Sequence, residues 1–155
     1  MAIIKPNNNT ISAITALPAA IATGKIVQVA YAVNTSEVTT SSGATIASLS
    51  FTPTSSSNKV ILFGNCAQIR KADAGTGSAA GMDIRVGSTQ TNARASNEGY
   101  PGDESDIRGN ITCIGYHDCW SGAETVALTS AGFGSNISYS YQSAPSTLVV
   151  LEVEV

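Results

Sequence analysis

His117 is the only histidine of the chain, and with Cys113 and Cys119 it forms a Cys-x3-His-x-Cys pattern in one extended run. These are ligand types that zinc takes, but zinc needs four ligands, or three and a water, converging at about 2 Å. A straight strand lays the three out along a line, and no fourth ligand is near in sequence, so the pattern reads as structural. The same spacing puts Cys113 and Cys119 roughly 20 Å apart along a strand, beyond disulfide reach. Three cysteines at irregular spacing, Cys66 included, read as reduced thiols. A serine-rich chain could build a Ser-His-Asp triad, but Asp118 beside a lone His117 is no triad, and no Gly-x-Ser-x-Gly elbow occurs. Asp103, Glu104 and Asp106 resemble a fragment of a calcium loop without its spacing or closing Glu. Gly75-Thr-Gly77-Ser-Ala-Ala-Gly81 lacks the Gly-Lys-Ser/Thr of a phosphate loop. Trp120 with Tyr116 and Tyr100 could form a stacking platform for sugar, although a tryptophan in the core or in a subunit contact is the stronger reading. The expectation is a protein without catalytic residues, metal or cofactor.

Composition points the same way. Charged residues are 12% of 155, about half the usual share. A free protein keeps itself soluble with charge, so a chain this poor in it is expected to spend surface on other protein. Hydrophobic residues are 43% and aromatics 6%, so the core must be mainly Val, Ile, Leu and Ala. Net charge is −3 and the eight basic residues are scattered, unlike the basic patch of a nucleic-acid-binding chain. The opening Met1-Ala2-Ile3-Ile4-Lys5-Pro6 lacks the pattern of a signal peptide, and no apolar run reaches the ~20 residues of a membrane-spanning helix.

The elements that must position these residues are strands. Residues 1–24 form an apolar arm, with Ile3, Ile4 and Pro6 at its start and Ile11, Ile14, Leu17 and Ile21 following at helical spacing that Pro18 interrupts. From Lys25 the period is two. Strands are expected at 25–33, 45–51, 59–69, 82–86, 110–120, 124–129, 136–142 and 147–155, the run 59–63 being buried on both faces. In the last strand Glu152 and Glu154 share one face, and Leu151, Val153 and Val155 are expected to supply the core face. Residues 73–81 read as a flexible loop. Residues 87–109 read as a long polar loop or projecting hairpin that gathers Arg94, Glu98, Tyr100, Asp103, Glu104, Asp106 and Arg108. Arg94, Tyr100 and Asp103 in this stretch, with Trp120 beyond it, are the candidates for recognition. About eight strands at hairpin spacing predict an all-β, antiparallel, jelly-roll-like β-sandwich over 25–155 with the arm 1–24 extended from it.

Gly24-Lys25-Ile26-Val27-Gln28-Val29, followed by Ala47-Ser48-Leu49-Ser50-Phe51-Thr52-Pro53-Thr54-Ser55-Ser56-Ser57-Asn58-Lys59-Val60, resembles a family of phage virion proteins, the tail-fibre-like or structural proteins of phages infecting cyanobacteria and marine bacteria. The opener from Ile4 to Ile21 is similar as well. The resemblance covers roughly the first 65 residues. It implies a β-sandwich virion component that forms a homotrimer, and it transfers no site residues.

Two roles on a virion follow as expectations. The first is a capsid decoration protein (cement or head fibre), assembled in the host cytoplasm, whose arm residues Ile3, Ile4, Pro6, Ile11, Ile14, Leu17 and Ile21 dock on the major capsid protein at the capsid surface. The second is a tail-fibre or receptor-binding module for host surface glycan. The chain has neither heptads nor repeats from which to build a fibre shaft, which favours the capsid. No nucleic acid or membrane is expected as a partner.

Overall fold

A computed structural model of the chain describes residues 24–40, 42–71, 78–100, 107–132 and 137–155. Residues 1–23, with all the arm residues expected to dock, Asp103 and its acidic neighbours, and most of the glycine-rich stretch after Asp73 lie outside the described residues. Among those described, the strands are β1 (Lys25–Asn34), β2 (Val38–Thr39), β3 (Ser42–Phe51), β4 (Lys59–Lys71), β5 (Ser78–Val86), β6 (Thr89–Tyr100), β7 (Ile107–Asp118), β8 (Glu124–Ala131), β9 (Ile137–Tyr139) and β10 (Ser146–Glu154). A single 3-10 turn spans Tyr141–Ser143.

All pairings are antiparallel. One sheet runs β1-β10-β4-β7, with the short β9 and β2 extending it beyond the end of β10. The other runs β3-β8-β5-β6. Two four-stranded sheets in these orders, with the chain crossing between them as it does here, make a jelly-roll sandwich, in agreement with the fold expected from the sequence.

The core is the aliphatic interior that the composition demands. Val60, Leu62, Cys66, Ile69, Leu148 and Val150 of the first sheet face Ala47, Phe51, Met82, Ile84, Val126 and Leu128 of the second. Close approach is enforced where small residues sit. A side chain at Gly64 would put its first carbon 2.6 Å from Leu128 Cδ1 and 2.8 Å from Cys113 Sγ. At Gly115 it would meet the Ala93 backbone at 2.5 Å, so a glycine there lets the edge strands β6 and β7 close one side of the sandwich.

Three expectations are corrected. First, β10 enters the sheet with the opposite parity. Ser146, Leu148, Val150 and Glu152 are buried, while Leu151, Val153 and Val155 face outward. A strand side chain's face is fixed by its parity, and here a buried acid has decided it. Glu152 Oε1 accepts from Thr54 N (2.9 Å), Thr54 Oγ1 (2.7 Å), Ser55 N (3.2 Å) and Asn58 Nδ2 (2.7 Å), and Oε2 accepts from Thr54 N (2.9 Å). The Gln28 amide, in the orientation that satisfies both its atoms, adds a bond to Oε2 at 3.1 Å. Burial pushes this carboxyl up, but the donors of Thr54, Asn58 and Ser55 outweigh it and hold the group below its ordinary 4.5. The Thr-Pro-Thr-Ser-Ser-Ser-Asn turn is therefore a cradle for one carboxylate.

Second, β4 is not buried on both faces: Val60, Leu62, Gly64 and Cys66 are buried, and Ile61, Phe63 and Asn65 are only half-buried. Third, the polar stretch 87–109 is not one loop. Most of it forms β6 and the start of β7, in different sheets, and residues 78–81 belong to β5. Ala80, Thr91 and Ala93 face inward and are buried. Small inward side chains carry too little hydrophobic signal to mark a strand.

Candidate docking faces

β1, β10, β4 and β7 present one continuous outer face, and their registers align its side chains in rows. Val29 pairs with Leu151, Leu151 with Ile61, and Ile61 with Tyr116. The next row is Tyr31, Val149, Phe63 and Ile114. Eight apolar or aromatic side chains are thus contiguous, and Ile26, Val153 and Val33 extend them along β1 and β10. The rows beyond turn polar toward β7, with the Lys59–Asp118 ion pair at one end and Thr112, which donates to Asn65 Oδ1 at 2.9 Å, at the other.

Apart from Val155 just past β10, the exposed large hydrophobic residues among those described are all on the two outer strands of this sheet: Ile26, Val29, Tyr31 and Val33 of β1, and Ile114 and Tyr116 of β7, with exposures from 53% for Val33 to 72% for Tyr31. Strand spacing of ~4.8 Å and a ~6.8 Å two-residue repeat give the eleven apolar side chains of this face about 360 Å² in projection, within the range at which the largest patch of a monomer is often functional. The outer face of the other sheet is polar. Ser48, Ser50, Gln90, Asn92, Arg94 and Thr125 are exposed there. Asp83 is buried on that side, accepting from Gln90 Nε2 (2.6 Å) and Thr129 Oγ1 and paired with Arg85 (3.3 Å).

The aromatic candidates do not share a platform. Tyr116 stands on the outer apolar face. Trp120 lies just past β7, half-buried against the core, with its ring 5.9 Å from Phe51 and 6.0 Å from His117. It lines a cleft of about 280 Å³ with His117, Thr89 and Glu124, and its buried indole N–H has no acceptor among the described residues. Arg94 is on strand β6 opposite Asp83, rather than in a loop. Tyr100 closes β6.

The Cys113, His117 and Cys119 pattern stays dispersed. Cys113 and His117 point to the inward side of β7, whereas Cys119 follows the strand. All three cysteines are free and buried, and among the described residues no group of three acidic, His or Cys side chains is placed to hold a metal. Burial pushes the Cys113 and Cys119 thiols up to about 11, which keeps them protonated and unreactive at neutral pH. His117 Nδ1 lies 2.5 Å from the Asp118 carbonyl.

A cluster of Tyr141, Arg70 and Arg108 joins residues that no pattern in the sequence links. Arg70 and Arg108 both lie over the Tyr141 ring, at 4.8 and 5.1 Å from its centroid, and Ser140, Gln142 and Ser143 around it hold left-handed backbone. The two arginines are distant in sequence, and only the β4–β7 pairing brings them opposite one another.

No family model matches the chain, and no curated protein matches it.

Proposed function

We propose that this chain is a phage virion structural protein of the capsid-decorating kind, which docks on the major capsid protein and stabilises the head. The observation that carries the reading is the apolar outer face of β1-β10-β4-β7 on a chain with 12% charged residues. The resemblance of the Gly24–Val29 and Ala47–Val60 segments to phage virion proteins supplies the particle. In this reading the arm 1–24 binds capsid subunits, the sandwich forms a homotrimer, and the mechanism is binding energy alone. Many modest contacts, added by avidity, hold neighbouring capsomers together. The test is co-sedimentation of the purified full chain with phage heads lacking it. Saturable binding at a fixed ratio to the capsid subunit is expected; no binding refutes the proposal.

The second reading, a tail-fibre or receptor module for host surface glycan, rests on the cleft at Trp120. An aromatic ring beside the polar Thr89 and Glu124 is a lining suited to a sugar. Binding of host surface glycan by the isolated protein, lost on Trp120→Ala, would establish it.

A further inference from the structure

We infer that copies of this chain pack on one another through the outer face of β1-β10-β4-β7, the β1 strip of one protomer against the β7 strip of the next. The inference deepens the decoration reading and rests on it for the three-fold stoichiometry. Its occupant, a second copy, is argued from the face itself.

β4 and β10 are the central strands of that face, and both carry apolar residues on both sides. An antiparallel sheet commonly turns a polar face to solvent, so apolar residues on both sides of these strands mark the outer face as a surface for contact. Here the second sandwich sheet covers the inner side, and none of the described residues covers the outer one. A stable contact takes about 800 Å² per partner. The apolar rows supply about half of that in projection, and the bordering rows have the polar make-up of an interface rim. The only charged groups among the four rows, Lys59 and Asp118, neutralise each other, so the face favours no partner of opposite charge and does not repel its own copy. Tyr31 and Tyr116 are the kind of amphipathic aromatics that concentrate in protein contacts.

The distribution of exposure suits a ring. The most open members stand on β1 and β7, at the two sides of the face, with the half-buried members of β10 and β4 between them. Each protomer therefore has two apolar strips about 15 Å apart, three strand spacings. A closed ring needs two different patches per subunit, each meeting the other kind on its neighbour. The outer face of the second sheet is polar and has no such pair.

The experiment is the solution mass of the full chain, wild type and variants, by light scattering after size exclusion. Wild type is expected at about three times the 15.8 kDa chain mass. Tyr31→Glu and Tyr116→Lys are each expected to weaken association at least ~100-fold, because each buries an unpaired charge in an apolar contact. The double variant should associate more tightly than either single one, since the new charges then face each other across the contact. Ser48→Glu, on the polar outer face, should leave the mass unchanged. Circular dichroism melting confirms that each variant folds, as expected for substitutions at exposed positions. A monomeric wild type at ~50 μM, singles with the wild-type mass, or a double no tighter than the singles overturns the assignment. Head binding is measured separately. A trimer built through this face that ignores phage heads refutes decoration and leaves the interface standing, and a monomer that binds heads does the reverse.

Discussion

Replacing Glu152 by Gln perturbs one atom pair in the best-connected polar site of the sandwich. The carboxylate is fully buried and accepts from Thr54, Ser55 and Asn58. Gln keeps the volume, but one acceptor oxygen becomes an NH₂ that confronts N–H donors, and the charge is lost from every remaining bond. At ~1.5–3 kcal/mol per hydrogen bond to a charged group, with relaxation recovering part, the loss is about 3 kcal/mol. For a domain of this size that lowers Tm by roughly 6–12 °C. The assay is calorimetric melting at pH 7 and fixed protein concentration, repeated toward pH 3. The sign follows from the direction of the shift. Glu152 is held below its ordinary 4.5 in the folded state, so its contribution is complete above that value and fades as pH falls through the folded one. The gap between wild type and variant should therefore shrink in acid. A Tm unchanged at pH 7, or a gap that persists undiminished at pH 3, would refute the reasoning.

Gly64→Ala must push its new methyl group into Leu128 and Cys113, and chemical denaturation should show a loss of about 1–3 kcal/mol. Tyr139→Phe removes the hydroxyl that donates to Gly81 O at 2.9 Å in a fully buried site; the same titration should register about 1–2 kcal/mol. The native protein should resist a thiol reagent at pH 7.5, with all three cysteines reacting once urea is added, since all are buried and the thiols of Cys113 and Cys119 are held near 11. Rapid labelling of either of these two in the folded protein would contradict that account.

Much of the fold was legible because alternation is a direct record of a two-faced sheet. β1, β3, β4, β7, β8 and β10 were found within a few residues of their ends, and the jelly-roll-like sandwich followed from their number and spacing. β6 was missed because its inward positions include Thr91 and Ala93 and its outward ones Gln90, Asn92 and Arg94. Such a strand owes its place to its neighbours, among them the Gly115 that lets it approach β7, and not to its own hydrophobicity. The parity of β10 was misread for a different reason. Apolar-in is the rule, and nothing in Val-Glu-Val announces that Thr54, Ser55 and Asn58, about a hundred residues earlier, will offer four donors to Glu152. The Thr52–Asn58 motif had been visible as a resemblance, and its physical role emerged only with its partner.

The docking face was half legible. The continuous apolar run in β4 and the apolar side of β10 both signalled a second covered face. The sequence alone assigned these side chains to the core, whereas the registers place them on an outer surface shared by four strands. The arm residues and Asp103 lie outside the described residues, and the proposed docking by the arm rests on the sequence pattern.

The most direct test of the central claim is a cryo-EM reconstruction of the virion with this chain located in it. The account predicts density on the capsid lattice in threefold clusters, with the arm reaching between capsomers. Density confined to the tail tip would contradict it.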